Sequence, residues 1–420
     1  MAQAAYTVTT SAGGVNKLWR KIQGELAVGF DFESDEWSMM PSLKNYKIDV
    51  SAREVTVPLD INEDAGVASI DEGGLEARPS SPNIEELTLN YILLNARFTA
   101  SVTAQLLDQY QRAAELKRQI VYQGMKKVQA LARAWSDYFY GLSTGVLATT
   151  TTVATQSSGA YTLATGYGQA TITGAALLAD KFKVNDAVAL IRAGALVANA
   201  IGVVTAVTPA TPSITVTWNG SVTSASGDQV VRANSIENTT LVGTDLNRAM
   251  TGLLDVSLST SVHGLSGATV PNWNPAYSDT SAVRWSGIML HKANDEIRFN
   301  GGGKVDLVII APGVYRDVLS LQQAALRFQD PFALELDGQI KSQGVKFFSS
   351  KRTPGGWVWA LDSKSYRKLD VMPKPTNQMS WGDGIRMENS SGYIFPISML
   401  TQMVCLNRKN IAYFNGKTEQ

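Results

Sequence analysis

Apolar residues alternate with period two in two stretches of the chain, Val55, Val57, Leu59, Ile61 and then Leu87, Leu89, Tyr91, Leu93. This is the spacing of half-buried strands, and it predicts the arms of one long hairpin. The segment between them, Asn62 to Glu86, is polar and too long for an ordinary turn; connections beyond about 12 to 15 residues in a compact domain are as a rule functional or disordered. A two-stranded hairpin is marginal by itself in water, so this one is expected to lie along another surface. From Ser101 to Tyr140 the period changes. Leu106, Tyr110, Ala113, Leu116, Ile120, Met125, Val128, Leu131, Trp135 and Phe139 recur at helical spacing, with Asp108, Arg112, Glu115, Gln119, Gln123, Lys126, Arg133 and Asp137 on the opposite side. The pattern predicts one amphipathic helix, which at 1.5 Å per residue would span about 60 Å. Gly124 marks the place for a kink or interruption.

After the helix the character of the chain changes abruptly. Leu142 to Ser235 holds 16 Thr and seven charged residues. Short β-rich runs (AVALI, IGVVTAV, SITVTW, DQVVRA) are separated there by Gly, Pro and Asn-Gly turn signals. They predict a small all-β domain inserted over 142–236, a barrel or a sandwich. Further on, KVDLVIIAP reads as a buried strand closed by Pro312, with VYRDVLSLQQ as a helix behind it. The remainder alternates strands (VKFFSS, WVWALD, KLDVM, GYIFPISMLTQMVCLN, NIAYFN) with turns. No repeat of solenoid or propeller period is visible. The fold class is α+β.

Charge sharpens this picture. The chain has 420 residues, 37 Lys+Arg against 37 Asp+Glu, and 18% charged residues, below the roughly 25% of an average soluble protein. Much of its surface is therefore expected to be covered by partners. Zero net charge argues against gripping nucleic acid as the main task, because neutralising phosphates needs a basic excess. The charge is unevenly placed. Asp60 to Asn90 carries eight acidic residues, among them Glu63, Asp64, Asp71, Glu72 and Glu76, against Arg78 alone, a net of −7. Lys341 to Lys374 carries Lys341, Lys346, Lys351, Arg352, Lys364, Arg367, Lys368 and Lys374 against Asp362 and Asp370, a net of +6. The acidic hairpin tip is expected to make a contact between subunits, with the basic region as its complement. The helix is mildly basic, which suits either a solvated face or a face turned towards packaged polyanion.

Candidate chemistry is sparse. Cys405 has no second cysteine to pair with, and with His263 and His291 it cannot make the usual four-ligand zinc site. Gly141-Leu142-Ser143-Thr144-Gly145 matches the nucleophile-elbow pattern, but a helix precedes Ser143 and a β region follows, the reverse of what that elbow requires. Gly301-Gly302-Gly303-Lys304 precedes a strand, where a phosphate loop would have to follow one. Each His stands without a neighbouring nucleophile and orienting acid. The N-terminus lacks the basic and apolar segments of a secretory signal. Ala187 to Val207 is apolar but interrupted by Arg192 and Asn199, so it reads as short buried strands and not as a membrane span. No catalytic residue, cofactor, metal or membrane is expected.

The order of elements is more informative than any motif: an arm, a long acidic hairpin, a long helix, an inserted β module, then an α/β region ending in strands. That order resembles the major capsid protein of tailed bacteriophages, the Hong Kong 97-type capsid fold. The stretches VHGLSGATVPNW (Val262 to Trp273) and DLVIIAPGVYRDVLSL (Asp306 to Leu321) are similar to stretches of that family. The resemblance implies an N-terminal arm at 1–45, an extended loop at 46–100 and a spine helix of the peripheral domain at 101–141. It also implies the inserted domain at 142–236, the rest of the peripheral domain at 237–305, an axial domain at 306–385 and closing strands at 386–420. It implies self-assembly into hexamers and pentamers of an icosahedral shell, put together in the host cytoplasm and residing in the virion. Its partners would be further copies, a portal, scaffolding or decoration proteins, and non-specifically the packaged double-stranded DNA. The hairpin starts close to Met1, so scaffolding is expected from a separate protein or not at all. Asn62 to Glu86 has no Lys, which makes cross-linking through an extended-loop lysine unexpected. Two alternatives stand beside this one: an encapsulin-like shell enclosing cargo protein, and a serine hydrolase using Ser143.

Overall fold

A computed structural model describes residues 34–43, 46–49, 54–60, 84–101, 114–151, 155–164, 181–193, 195–233, 249–268, 270, 273–326, 341–342, 345–370, 379–381, 385–386 and 392–418. Among these the chain is α+β and mostly strand, with five α-helices: α1 (Asp35–Met39), α2 (Ala114–Tyr140), α3 (Leu253–Leu258), α4 (Gly287–Gly301) and α5 (Pro312–Leu326).

The hairpin pairs Glu54–Asp60 with Ile84–Asn90 in antiparallel register, Val55 opposite Leu89 and Val57 opposite Leu87, with Lys47–Asp49 added as a third strand. The alternation does not run on to Leu93. It slips at Tyr91, and in the next strand, Ile92–Ser101, Ile92 is buried while Leu93 is 56% exposed. A slip of one residue sends each side chain to the other face. Ile92–Ser101 leaves the hairpin to pair with the long strand Gly392–Cys405, where Phe98 stacks on its register partner Phe395 at 5.2 Å. Ser101 is thus strand and not the start of a helix, and 102–113 fall outside the described residues. The described helix α2 has 27 residues, about 40 Å at 1.5 Å each. It passes through Gly124 without interruption.

Gly392–Cys405 is the axis of one six-stranded sheet, in which Tyr366–Asp370 joins it to Ser42–Leu43, and Met379–Trp381 and Ile385–Arg386 also pair with it. A second sheet runs in the order Tyr277–Asp279, Ile411–Phe414, Val358–Leu361, Leu307–Ile310, Val345–Ser349, Lys341–Ser342. Residues 306–385 therefore divide between two sheets, and the C-terminal strand Ile411–Phe414 belongs with the earlier part of that segment. The second sheet is buried on both faces. Leu307 and Ile309 join the main core, and Val308 and Ile310 join the layer under α4 and α5 with Trp285 and Phe414. This explains the unbroken apolar run LVII. Pro312 opens α5 as its first residue, where a missing N–H costs nothing.

Six strands between Val146 and Arg232 close into a barrel in the order Ser213–Thr223, Thr155–Ala164, Val146–Thr150, Gln229–Arg232, Ala187–Arg192, Ala195–Thr208. AVALI is apolar throughout because both its faces are covered. Val188 and Leu190 pack in the main core, while Ala189 and Ile191 pack with Val146, Ile201 and Val231. Trp218 donates its indole N–H to the Tyr161 hydroxyl at 2.6 Å inside the barrel.

The main core follows a chain of aromatic contacts through the end of α2. Trp37 meets Trp135 edge-on at 5.0 Å, Trp135 stacks on Phe139, and Tyr140 leads to Trp359, itself stacked on Trp357 at 5.0 Å. Beside it the chain passes α2 very closely at Gly252. A Cβ there would lie 2.2 Å from the Gly141 carbonyl oxygen and 2.5 Å from that of Tyr138. Both obstacles are backbone, so Gly252→Ala is expected to cost about 3 kcal/mol or more. Gly287→Ala, where nothing lies within 4 Å, is expected to leave stability unchanged or slightly raised. Thermal or denaturant unfolding of the two variants checks the contrast, and equal stabilities would contradict the close approach.

Candidate functional site

The last two turns of α2 gather charge from three other parts of the chain. Asp137 is buried in a run of aromatics, AWSDYFY, and accepts a hydrogen bond from Arg232 of the barrel at 2.6 Å and one from Arg352 at 2.8 Å. Arg133, one turn earlier, reaches Asp186 of the barrel at 2.5 Å, and Arg232 also approaches Asp186 at 3.6 Å. Two arginines thus hold Asp137, and Arg133 and Arg232 share Asp186 beside it. A carboxylate out of water is tolerated when paired and hydrogen-bonded, and removing one partner of such a pair costs about 3 to 5 kcal/mol.

The other side of the same helix end binds α1. Glu36, buried, accepts from the Ser136 hydroxyl at 3.0 Å, the Tyr140 hydroxyl at 3.3 Å and the Ser350 hydroxyl. Burial and the neighbouring Glu36 carboxylate push the Tyr140 phenol well above its usual range, so it remains a donor at any physiological pH. The turn 350–352 therefore touches both carboxylates, Ser350 on Glu36 and Arg352 on Asp137. On the helix pattern Arg133 and Asp137 belong to the polar, solvent-facing side; the structure buries both. The signal was available in the sequence, because a single carboxylate flanked by Trp135, Tyr138, Phe139 and Tyr140 needs a cationic partner.

The expected acidic contact residues Glu63, Asp64, Asp71, Glu72, Glu76 and Arg78 lie outside the described residues. The strands that lead to them are paired up to Asp60 opposite Ile84. The expected basic complement is not one patch. Lys341 and Lys346 belong to the second sheet, while Arg367 and Lys368 belong to the first. Lys346, Lys351 and Lys364 are exposed, and Arg367 is half-buried with its Nε on the Lys364 carbonyl at 2.7 Å. Arg352 and Lys368 are corrected to internal roles. Arg352 holds Asp137, and Lys368 is buried with Nζ donating to the Trp37 carbonyl at 2.6 Å and lying 4.1 Å from the Trp37 ring centroid. Their long aliphatic stems, with head groups bonded to Asp137 and to the Trp37 carbonyl, suit these internal contacts.

Ser143 sits in the turn between α2 and the barrel and lines a cavity of about 1240 Å³ together with Asp255 and His263. The three residue types match a hydrolase, but the histidine is committed elsewhere. His263 has φ +55° in the two-residue turn of the hairpin Ser261–Ser266, and its Nε2 accepts the Cys405 N–H at 3.0 Å. Burial holds its pKa down to about 3, so the ring is neutral and its free lone pair is already used. Asp255 accepts from the Ser259 hydroxyl at 2.5 Å. Gly302, at φ +65°, ends α4, and Gly301 and Gly303 pack against Asn410, so that glycine run closes a helix. Among the described residues no three His, Cys, Asp or Glu side chains come together as a metal site, and no helix is long and apolar enough to cross a membrane.

Lys181 lies beside this junction. It is buried, and its carbonyl accepts from Arg232 at 3.3 Å. Burial pulls its ammonium from 10.5 down to about 8, against the upward pull of Asp137. Between those values the unfolded chain binds more protons than the folded one, so stability from this group rises with pH through that window and is least below it. Melting temperatures of the wild type and Lys181→Met are expected to converge or cross in favour of the wild type between pH 8 and 10.5. A difference independent of pH would show that the ammonium is solvated.

No protein-family model matches the chain, and no curated protein sequence matches it. Solved structures do. A chain of the Cyanophage A-1(L) capsid asymmetric unit aligns with a TM-score of 0.50 at 10% identity, over 90% of this chain and 90% of its own. A chain of the capsid of a native GTA particle aligns at 0.43 with 10% identity over 91% and 89%. A chain of the virus-like particle from Pyrococcus furiosus aligns at 0.42 with 8% identity over 94% and 98%. At 10% identity the likeness to the cyanophage chain is one of fold, and it spans nearly the whole of both chains. The fold of this chain is that of a phage capsid protein.

Proposed function

We propose that this protein is the major capsid subunit of a tailed bacteriophage, forming hexamers and pentamers of an icosahedral head shell around double-stranded DNA. The observation that carries the reading is the fold, shared along 90% of both chains with a phage capsid subunit. In this reading the sheet Lys47–Asn90 is the base of the extended loop, α2 the spine helix of the peripheral domain, and the sheet around Leu307–Ile310 with α4 and α5 the axial domain. The barrel is an inserted domain fixed to the spine helix by the Asp137, Asp186, Arg133 and Arg232 pairs. The role is structural and not enzymatic. It is supported by a core whose ionic groups are engaged in ion pairs and hydrogen bonds within the chain and by a Ser143 without a free base. On α2, Lys126 and Lys127 are exposed, with Lys126 5.7 Å from the Tyr122 ring centroid; a mild basic strip of this kind suits non-specific contact with packaged phosphate.

Electron microscopy of the protein, expressed alone and with its genomic neighbours, is expected to show closed shells or five-fold and six-fold rings. Shells loaded with protein and free of nucleic acid would move the reading to an encapsulin-like compartment. A stable monomer under both conditions would remove the shell reading.

The acidic segment is proposed as the contact between neighbouring subunits, with Lys341, Arg367 and the exposed Lys346, Lys351 and Lys364 as the remaining candidates for its complement. Reversing Glu63, Asp64, Asp71 and Glu72 to Lys should then weaken assembly most at low salt, where exposed charges are least screened. Unchanged sedimentation of the assembled particle at low salt would discard this pairing and leave the fold untouched.

A further inference from the structure

Helix α4 is apolar on two opposite faces. Its inner face packs Ala293 and Ile297, fully buried, against the layer of Trp285, Val308 and Phe414. That is how a helix covers a sheet. Its outer face carries Ile288, Lys292, Asp295 and Phe299, spaced four, three and four residues apart and so aligned in one stripe. Ile288 is 80% exposed and Phe299 89%, more than any other large apolar side chain among the described residues. Lys292 and Asp295 between them are exposed as well. An outer helix face is ordinarily polar along its whole length, and this one is polar only at its centre.

We infer that this stripe is a two-fold contact between two copies of the chain, with the helices antiparallel. The order of the stripe is apolar, cation, anion, apolar, and it is antisymmetric in charge about the point between Ala293 and Asn294. Ile288 and Phe299 are equally far from that point, and so are Lys292 and Asp295. An antiparallel copy therefore places Ile288 against Phe299 of the partner subunit and Lys292 against Asp295 of the partner subunit, and symmetry makes each pairing twice. A parallel pairing in register sets Lys292 against Lys292 and Asp295 against Asp295, which is repulsive. The charge pattern thus names both the occupant and its direction. Lys292 is already oriented by the Tyr277 ring, 4.9 Å from its Nζ, so less side-chain freedom is lost when it pairs.

A pair of four-turn helices covers less than the roughly 1,200 Å² that a stable complex buries. The contact is weak singly and gains strength where many copies are already held together. It does not depend on the shell reading, because the stripe is complete within one helix.

Cysteine cross-linking tests it, since Cys405 is fully buried and will not interfere. The double variant Ile288→Cys/Phe299→Cys is expected to form a covalent dimer under mild oxidation. Neither single variant should do so, because in the antiparallel pair like positions are about 16 Å apart at 1.5 Å per residue. Within the double-cysteine background, Lys292→Asp or Asp295→Lys should lower the yield severalfold at low salt, and the two together should restore it. Single variants that cross-link as readily as the double, or a double that stays monomeric at concentrations where the wild type assembles, would overturn the inference. All four positions are exposed, so unchanged melting temperatures will confirm that each variant is folded. Shells without the cross-link would sink this contact alone, and cross-linked dimers that never form shells would sink the shell reading alone.

Discussion

Asp137 is the group on which the arrangement of this subunit turns. It is a carboxylate in the most aromatic turn of the longest described helix, out of reach of water, and its ionisation has to be balanced from within the chain. Arg232 and Arg352 provide that balance from two distant parts of the chain, 95 and 215 positions further on. Hydrophobic burial is non-directional and would accept several orientations of the barrel against the helix. Two guanidinium groups converging on one carboxylate accept very few, because each must present a donor at hydrogen-bond distance. The position of the barrel and that of the 350–352 turn are therefore one problem with one solution.

Glu36 repeats the device on the neighbouring face. It takes hydroxyls from α2 and from the same turn, and it brings α1, whose Trp37 then caps the aromatic chain at Trp135. The Lys368 ammonium closes the loop from the first sheet by holding the Trp37 carbonyl. Arg408 serves the other end of the core in the same manner, donating to the carbonyls of Val256, Trp273 and Ser259 at 2.6, 3.1 and 2.5 Å. Ionic groups that composition would assign to the surface are in this way used as internal clamps.

The sequence was readable where a pattern is local. Val55 to Leu59 against Leu87 to Leu89, the β-rich runs of the barrel and the LVII strand all follow from periodicity, since each depends on which face of one element is covered. It misled where the outcome depends on a distant partner. The alternation through Leu93 fails because Ile92–Ser101 changes its allegiance from the hairpin to Gly392–Cys405, a strand some 300 residues away. Ser101 is drawn into that pairing for the same reason, so the helical spacing that begins there by pattern meets strand at its first position. Arg352 and Lys368 look like members of a basic surface because net charge over a window carries no record of direction. Only the fold reveals that one meets Asp137 and the other Trp37.

The Ser143 turn shows the same limit from the other side. Serine, aspartate and histidine do converge on one cavity, so the composition of a hydrolase site is present in three dimensions as well as in the motif. What decides against catalysis is a single hydrogen bond. A histidine whose Nε2 already accepts a backbone N–H, and whose proton affinity is depressed by burial, has no lone pair to offer a serine without breaking the turn that holds it. Asp255, engaged with Ser259, does not orient it. On the shell reading proposed above, what matters instead is how rigidly α2 holds its neighbours, because a subunit repeated in a lattice has to keep the relative orientation of hairpin, barrel and sheets. Converging ion pairs at one helix end are a physical means of reducing that freedom, and they are located where those parts meet.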